Sequence, residues 1–165
     1  MLHLTNTIMK KILLAILFVT ASVGVSFAQN GKFSIGLELG KPTGNVGDFY
    51  KLAIGGSLKY DVPIEKGTNF NVSLGYTSFQ GKRYVGDAGF VPLKAGLKHY
   101  FDQGFYGEAQ LGAAFSTEDH GGTFFAYSPG VGYTFAGGFD VGFRYEGWSK
   151  NGTIGQVATR LAFNF

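Results

Sequence analysis

Charged side chains recur at alternating positions within segments that otherwise hold apolar and small residues. The acidic members are Glu38, Asp61, Glu108, Asp140 and Glu146, and the basic members are Lys59, Lys94, Lys98, Arg144 and Arg160. A charge removed from water is stable only when it is paired and hydrogen-bonded, so equal numbers of both signs favour ion pairing over selection of ions of one sign. The set therefore predicts an internal network of ion pairs.

The sequence holds few residues suited to catalysis or metal binding. It contains no cysteine, which excludes disulfides, thiolate nucleophiles and thiolate metal ligands. His120 follows Glu118 and Asp119, but three adjacent polar residues in a loop are more often hydrated than bound to a metal. We therefore predict no catalytic residue, no cofactor and no metal site.

The segments that carry the charged residues show the two-residue period of β-strands. In the last segment, Val157, Thr159, Leu161, Phe163 and Phe165 fall on one face, and polar or small residues fall on the other. The same alternation recurs along the chain without an amphipathic helix that could cover the apolar faces. Lipid is the remaining apolar solvent, so the pattern predicts a β-barrel that spans a membrane.

About eight strands are predicted, each close to the ~9 to 11 residues of a tilted membrane strand. They lie near residues 32–40, 51–61, 69–79, 91–101, 105–116, 124–135, 139–148 and 156–165. Their connections alternate between short turns, expected on the periplasmic side, and longer polar loops, expected outside. The connection at 62–68 is longer than this rule predicts. The predicted fold is an all-β, eight-stranded antiparallel up-and-down transmembrane β-barrel.

The outward faces carry an aromatic residue in each strand near the short turns. Aromatic rings favour the headgroup level of a membrane, so these residues predict a girdle at the periplasmic edge. The girdle comprises Phe33, Tyr60, Phe70, Phe101, Phe105, Phe135, Phe139 and Phe165. A water-soluble β-sandwich does not require aromatic residues at one common height, which makes that alternative the weaker one.

The inward faces are small and polar, as a narrow barrel requires, because side chains from opposite walls meet at its axis. A three-residue turn at 102–104 sets Lys98 opposite Glu108, and closure of the last strand on the first brings Arg160 toward Glu38. Aromatic residues that point inward near the strand ends are predicted to stop the lumen. These are Phe79, Tyr100, Tyr106, Phe124 and Trp148.

The amino-terminal segment has the pattern of a secretory signal peptide. Met9, Lys10 and Lys11 form a positive region, residues 12–25 are mostly apolar, and the small residues around Ala28 fit a cleavage site before Gln29. We predict a leader at 1–28, with Met9 as a possible true start, and a single barrel domain at 29–165. Loss of the leader lowers the net charge from +3 to +1, which leaves no basic field to attract nucleic acid.

The strands KFSIGLELG, LAIGGSLKYDVP and NFNVSLGYTSF, with the aromatic terminal strand, carry a family resemblance. The mature chain resembles the small outer-membrane β-barrel family of Gram-negative bacteria, similar in outline to the OmpA transmembrane domain and OmpX. Gln29 after the cleavage site resembles exported proteins of Bacteroidota. The resemblance implies a cell outer-membrane location and a terminal signal for the barrel assembly machinery at Leu161, Phe163 and Phe165. Outer-membrane lipid and lipopolysaccharide are the expected partners of a monomer.

Two functions from different classes remain open, and an enzyme is a third, less favoured one. A barrel of about eight strands has an interior that side chains fill, which favours a plugged lumen with a structural or surface-interaction role over a narrow channel for small solutes or ions. The family also includes barrels that modify lipid A, and the deacylase type carries a lipid-facing His and a nearby Ser toward the outer leaflet. His99 is predicted to face lipid at the opposite edge, without a serine.

The outer loops are the predicted sites of surface contact. The basic residues Lys41, Lys51, Lys82 and Arg83, with Tyr84, are placed to meet the phosphates of lipopolysaccharide. The aromatic residues Phe49, Tyr50, Tyr84 and Phe90 are placed either to contact a protein partner or to fold down onto the barrel rim.

Overall fold

The computed structural model describes residues 31–118 and 121–165. The predicted leader, its cleavage site between Ala28 and Gln29, the alternative start at Met9 and the loop residue His120 lie outside the described residues. Within the described ranges, no helix is long and apolar enough to cross a membrane.

The described chain forms a closed antiparallel barrel in which each strand pairs with its neighbours in sequence and the last pairs with the first. The strands are β1 (Lys32–Thr43), β2 (Tyr50–Glu65), β3 (Thr68–Gly81), β4 (Ala88–Tyr100), β5 (Phe105–Ser116), β6 (Thr123–Thr134), β7 (Phe139–Ser149) and β8 (Thr153–Asn164). This confirms the predicted eight-stranded up-and-down topology. One short helix, α1 (Val46–Phe49), lies in the first loop.

The barrel has two unlike ends. Short connections at 66–67, 101–104 and 135–138, together with the start of β1 and the end of β8, define what we call the turn end. The longer connections define the loop end. The predicted long connection at 62–68 is wrong, because β2 continues to Glu65 and β3 begins at Thr68. Gly67 allows this tight turn with a φ of 77°, and a register shift between Pro63 and Glu65 accommodates the proline.

Closure of the barrel rests on the pairing of β1 with β8. Glu38 lies opposite Arg160 in this pair, as predicted. At the turn end, the Phe33 amide donates to the Phe165 carbonyl at 3.1 Å and the Phe165 amide donates to the Phe33 carbonyl at 2.8 Å. The closed ladder leaves no strand edge with free amide and carbonyl groups.

The surfaces of the barrel reverse the usual arrangement of a water-soluble protein. Apolar side chains point outward along every strand, and of the ten charged residues listed above eight are buried inside, while Glu108 and Arg144 are partly buried. The residues of the predicted aromatic girdle lie on the outer surface near the turn end, with exposed fractions from 41% at Phe70 to 70% at Phe165 for the seven phenylalanines. Tyr60 is half-buried because its ring packs 4.4 Å from the ring of Phe33.

Candidate functional site: the barrel lumen

The lumen contains three groups of ion pairs, which we name the ionic chain, the ionic pair and the ionic triad. Strand alternation positions all of their members, because inward residues recur at every second position. The predicted register of Lys98 opposite Glu108 is confirmed. Their ionic partners, however, come from other strands.

The ionic chain crosses the barrel between strands that are not neighbours. Lys94 Nζ lies 2.6 Å from Glu146 Oε1, and the Arg144 guanidinium lies 2.9 Å from Glu146 Oε2 and 2.5 Å from Glu38 Oε2. Arg160 Nε extends the chain to Glu38 Oε1 at 3.8 Å. Hydrogen bonding of each carboxylate by more than one donor offsets the desolvation cost of these buried charges.

The ionic pair is supported by amide side chains that the charge pattern did not single out. Lys59 Nζ lies 2.7 Å from Glu108 Oε1, which also accepts a hydrogen bond from Asn71 at 2.9 Å. Gln110 in turn donates to Asn71 at 2.7 Å and to Ser73 at 3.2 Å. Asn71, Ser73 and Gln110 occupy inward positions of β3 and β5. The alternation of inward and outward residues along each strand is therefore the sequence pattern that could have identified them.

The ionic triad lies toward the turn end. Lys98 Nζ lies 3.8 Å from Asp61 Oδ2 and 3.5 Å from Asp140 Oδ2, with the centre of the Tyr106 ring 4.1 Å away. The Tyr106 hydroxyl donates to Asp140 at 2.8 Å, and the Thr134 hydroxyl donates to the same carboxylate at 2.7 Å. Two carboxylates and an aromatic face together surround one ammonium group.

An apolar cluster fills the lumen at the loop end. Trp148 is 1% exposed, and its ring centre lies 5.4 Å from that of Phe79 and 4.8 Å from that of Phe90. Phe124 packs on Phe90 at 5.6 Å, and Tyr50 packs on Phe79 at 5.7 Å. We call these five residues the aromatic plug. The Trp148 indole also donates to Glu146 at 3.1 Å, which joins the plug to the ionic chain.

The inward aromatic residues divide between the two ends. Phe79, Phe124 and Trp148 lie in the plug, whereas Tyr100 and Tyr106 lie beside the ionic triad. Phe90 is buried in the plug and Tyr50 packs against it partly buried, which agrees with the alternative that these aromatic residues fold onto the barrel rim. Phe49 and Tyr84 remain exposed in the loops.

Two small cavities remain between the charged side chains, each of about 10 Å³. Lys59, Lys94 and Ser73 help to line the first, Tyr106 and Gly130 help to line the second, and Arg160 borders both. A space of this size holds about one water molecule. Both cavities are thus too small for anything much larger than a water molecule.

Glycines make room for the polar side chains of the lumen. A Cβ atom at Gly36 would lie 2.8 Å from Arg160 Cζ, and one at Gly132 would lie too close to the Tyr106 hydroxyl. At both positions a Cβ atom would crowd a side chain of the neighbouring strand, which would have to shift. Gly36 allows the Arg160 guanidinium to reach Ser34 and Ser57, to which it donates at 3.0 and 2.9 Å.

His99 lies on the outer surface near the turn end. Its Nδ1 lies 2.8 Å from the Thr68 hydroxyl, and its ring packs 5.2 Å from that of Phe101. The described residues contain no group of three His, Cys, Asp or Glu side chains that could hold a metal ion. The hydroxyl beside His99 belongs to a threonine, whereas the deacylase type of barrel carries a serine near its histidine.

Comparison with known proteins places the architecture among solved barrels. No model of a known protein family matches the sequence, and no curated protein matches it. The crystal structure of Ail, the attachment invasion locus protein of Yersinia pestis, is similar over 82% of this chain and 97% of that chain, with 19% identity and a TM-score of 0.60.

Two further solved structures show the same likeness. The N-terminal β-barrel domain of Pseudomonas aeruginosa OprF is similar over 81% of this chain and 97% of that chain, with 14% identity and a TM-score of 0.57. The outer membrane enzyme PagL is similar over 79% of this chain and 98% of that chain, with 16% identity and a TM-score of 0.62. These proteins differ in activity while sharing one architecture. The chain therefore has the fold of the small eight-stranded outer-membrane β-barrels.

Proposed function

We propose that the protein is an integral outer-membrane barrel of a Gram-negative bacterium, with a closed lumen and a structural or surface-interaction role. The outward apolar band with its aromatic girdle matches the surface that a barrel presents to lipid. The short connections then face the periplasm and the longer loops face outward. The likeness to outer-membrane barrels supports the same location.

The packing of side chains in the lumen is the observation that supports this proposal. The aromatic plug blocks the loop end, and the three ionic groups fill the space between the plug and the turn end. A continuous water path would require both Trp148 to leave its packing partners and Arg144 to leave its carboxylates. Removing one partner of a buried ion pair costs about 3 to 5 kcal/mol. We therefore expect a conformation with an open water path to be rarely populated.

Conductance across planar bilayers tests the closed lumen. The chain from Gln29 onward is refolded, its folded state is confirmed by heat-modifiable mobility on a gel, and single channels are recorded. We expect no discrete openings. Reproducible openings from a demonstrably folded barrel would instead support the second candidate, a narrow channel for small solutes or ions, in which the basic lumen residues set the selectivity.

We also propose that the barrel is not an enzyme. The Thr68 and His99 pair is the arrangement that most resembles a nucleophile beside a base, since their polar atoms lie 2.8 Å apart. It lies at the turn end, which the proposed orientation places away from the outer leaflet. Assays for deacylation of lipid A by the refolded barrel should show no product. Activity that disappears in His99→Ala would overturn this part of the proposal.

The loop end is the proposed place of surface contact. Lys82 is held by two hydrogen bonds to the first loop, from its amide to the Phe49 carbonyl at 2.8 Å and from its ammonium to the Gly47 carbonyl at 2.6 Å. Arg83 and the fully exposed Tyr84 follow Lys82 at the tip of the loop between β3 and β4. We propose that this basic and aromatic tip contacts lipopolysaccharide phosphates around a monomeric barrel. Lipopolysaccharide should raise the melting temperature of the wild-type barrel. Loss of this rise in Arg83→Ala would support the proposed contact, and an unchanged rise in that variant would contradict it.

A further inference from the structure

The three ionic groups of the lumen are not individually neutral. The ionic pair contains one charge of each sign. The ionic chain contains Lys94, Arg144 and Arg160 but only Glu38 and Glu146. The ionic triad contains two carboxylates around one ammonium. One positive charge is therefore in excess in the chain, and one negative charge is in excess in the triad.

The positive excess coincides with a hydrogen-bond donor that has no partner. Arg160 is 4% exposed, and its Nε and Nη2 atoms donate to serine hydroxyls. Its Nη1 atom makes no hydrogen bond, and it is the one buried side-chain nitrogen in that condition within residues 31–118 and 121–165. A buried charged donor without an acceptor is costly, so an unpartnered guanidinium nitrogen indicates a missing ligand.

Arg160 borders a cavity that can hold such a ligand. The first cavity, of about 10 Å³, is lined by four basic side chains and only two carboxylates, Glu38 and Glu108. Lys59 and Lys94 each donate one side-chain hydrogen bond, to Glu108 and Glu146, although an ammonium group has three donors. The space is therefore lined by side chains that carry surplus donors and a surplus of positive charge, and its volume admits one small species.

We propose that a small monovalent anion, the size of a halide, binds in this cavity against Arg160 Nη1. An anion accepts hydrogen bonds without donating any, so it satisfies the surplus donors and neutralises the ionic chain. A water molecule in the same space would bring two further donors and leave the excess charge in place. The proposal rests on the closed lumen proposed above, because an open aqueous pore would hydrate the same groups.

Crystallography with bromide tests the site directly. Crystals of the refolded chain from Gln29 onward are grown or soaked in sodium bromide, and anomalous scattering is measured. The expected result is an anomalous peak within hydrogen-bond distance of Arg160 Nη1. A water molecule, or no density, at that position in bromide crystals would overturn the proposal.

Thermal unfolding tests the same site in solution. The melting temperature is compared in sodium chloride and in sodium gluconate at equal ionic strength, since gluconate is too large for the cavity. Chloride should raise the melting temperature saturably by about 5 °C. Equal melting temperatures in the two salts would overturn the proposal.

Two variants separate this site from a general salt effect. Arg160→Gln should lose the difference between chloride and gluconate, whereas Lys98→Met should keep it, because Lys98 is a buried lumen cation that does not line the cavity. A difference that persists in Arg160→Gln would place the anion elsewhere and overturn the assignment. If Arg160→Gln does not fold, the salt comparison and the bromide crystals of the unmodified chain still decide.

The conductance experiment distinguishes failure of this inference from failure of the closed lumen. A barrel that shows no channel openings but holds water at Arg160 Nη1 would contradict only the proposed anion site. A conducting barrel with bromide at Arg160 Nη1 contradicts the closure alone.

Discussion

Arg144 and Glu38 meet across the lumen at 2.5 Å although 106 positions separate them in the sequence. The contact joins β7 to β1, which do not pair with each other in the sheet. The same guanidinium binds Glu146, so removal of Arg144 leaves two buried carboxylates without a cation between them. Arg144 is therefore the central member of the ionic chain.

The first prediction concerns this ion pairing. Arg144→Ala should lower the free energy of unfolding by about 3 to 5 kcal/mol, since it removes the cation that Glu38 and Glu146 share and leaves each buried carboxylate with one cation, Arg160 and Lys94 respectively. Glu108→Ala should act in the same direction by leaving Lys59 unpaired. Urea titration of the refolded barrel in lipid vesicles measures both effects. Arg83→Ala, at an exposed loop position, is the control and should change little. Wild-type stability in both lumen variants would refute the network.

The second prediction concerns the aromatic plug. Trp148 is the single tryptophan of the chain and is 1% exposed, so its fluorescence reports on the plug alone. In the folded barrel its emission should be shifted to shorter wavelength and should resist quenching by iodide. Quenching as efficient as in urea-unfolded chain would mean that water reaches the loop half of the lumen, contrary to the closed structure.

The third prediction compares two glycines on paired strands. Gly36→Ala places a Cβ atom 2.8 Å from Arg160 Cζ and should displace the guanidinium from its serine partners. The expected loss of stability is about 1 to 3 kcal/mol. Gly56→Ala is the matched control, because its Cβ would meet only the Gly36 carbonyl oxygen, at 3.6 Å. Equal effects of the two substitutions in urea titrations would show that the space at Gly36 is not specific.

The fourth prediction separates assembly in cells from stability of the barrel. Phe165 is 70% exposed on the outer surface, and its contacts with β1 are through its backbone. Phe165→Ser should therefore leave the free energy of unfolding of the refolded barrel, measured by urea titration, within about 0.5 kcal/mol of wild type. If the terminal strand is an assembly signal, the same substitution should reduce the amount of barrel in the outer membrane. Wild-type amounts in membrane fractions would count against that role for Phe165.

Much of the fold could be predicted from the sequence because alternation fixes which side of the wall each residue faces. The strand β5 has the predicted bounds, and Lys98 lies opposite Glu108 as the turn at 102–104 requires. The connection at 62–68 was mispredicted because Pro63 and Gly67 are typical of a loop. In the structure, a register shift allows Pro63 to remain within a long hairpin.

The ionic partners inside the barrel were harder to predict than the strands. Lys94 binds Glu146 and Lys59 binds Glu108, and in both cases the partners lie on strands that are not adjacent. Such contacts depend on strand tilt and shear, which set the heights at which side chains from opposite walls meet. Local patterns in the sequence give the inward direction of a side chain but not its height relative to the opposite wall.

The pairing of β1 with β8 places both ends of the barrel domain beside the short turns, while the loop glycines Gly86 and Gly152 have open space around them. Foreign peptides inserted at either glycine and affinity tags joined to Phe165 would thus be carried on opposite faces of a membrane. In the proposed orientation the barrel would serve as a compact scaffold for cell-surface display, in which a protease added outside would cut the inserted epitope and spare the terminal tag.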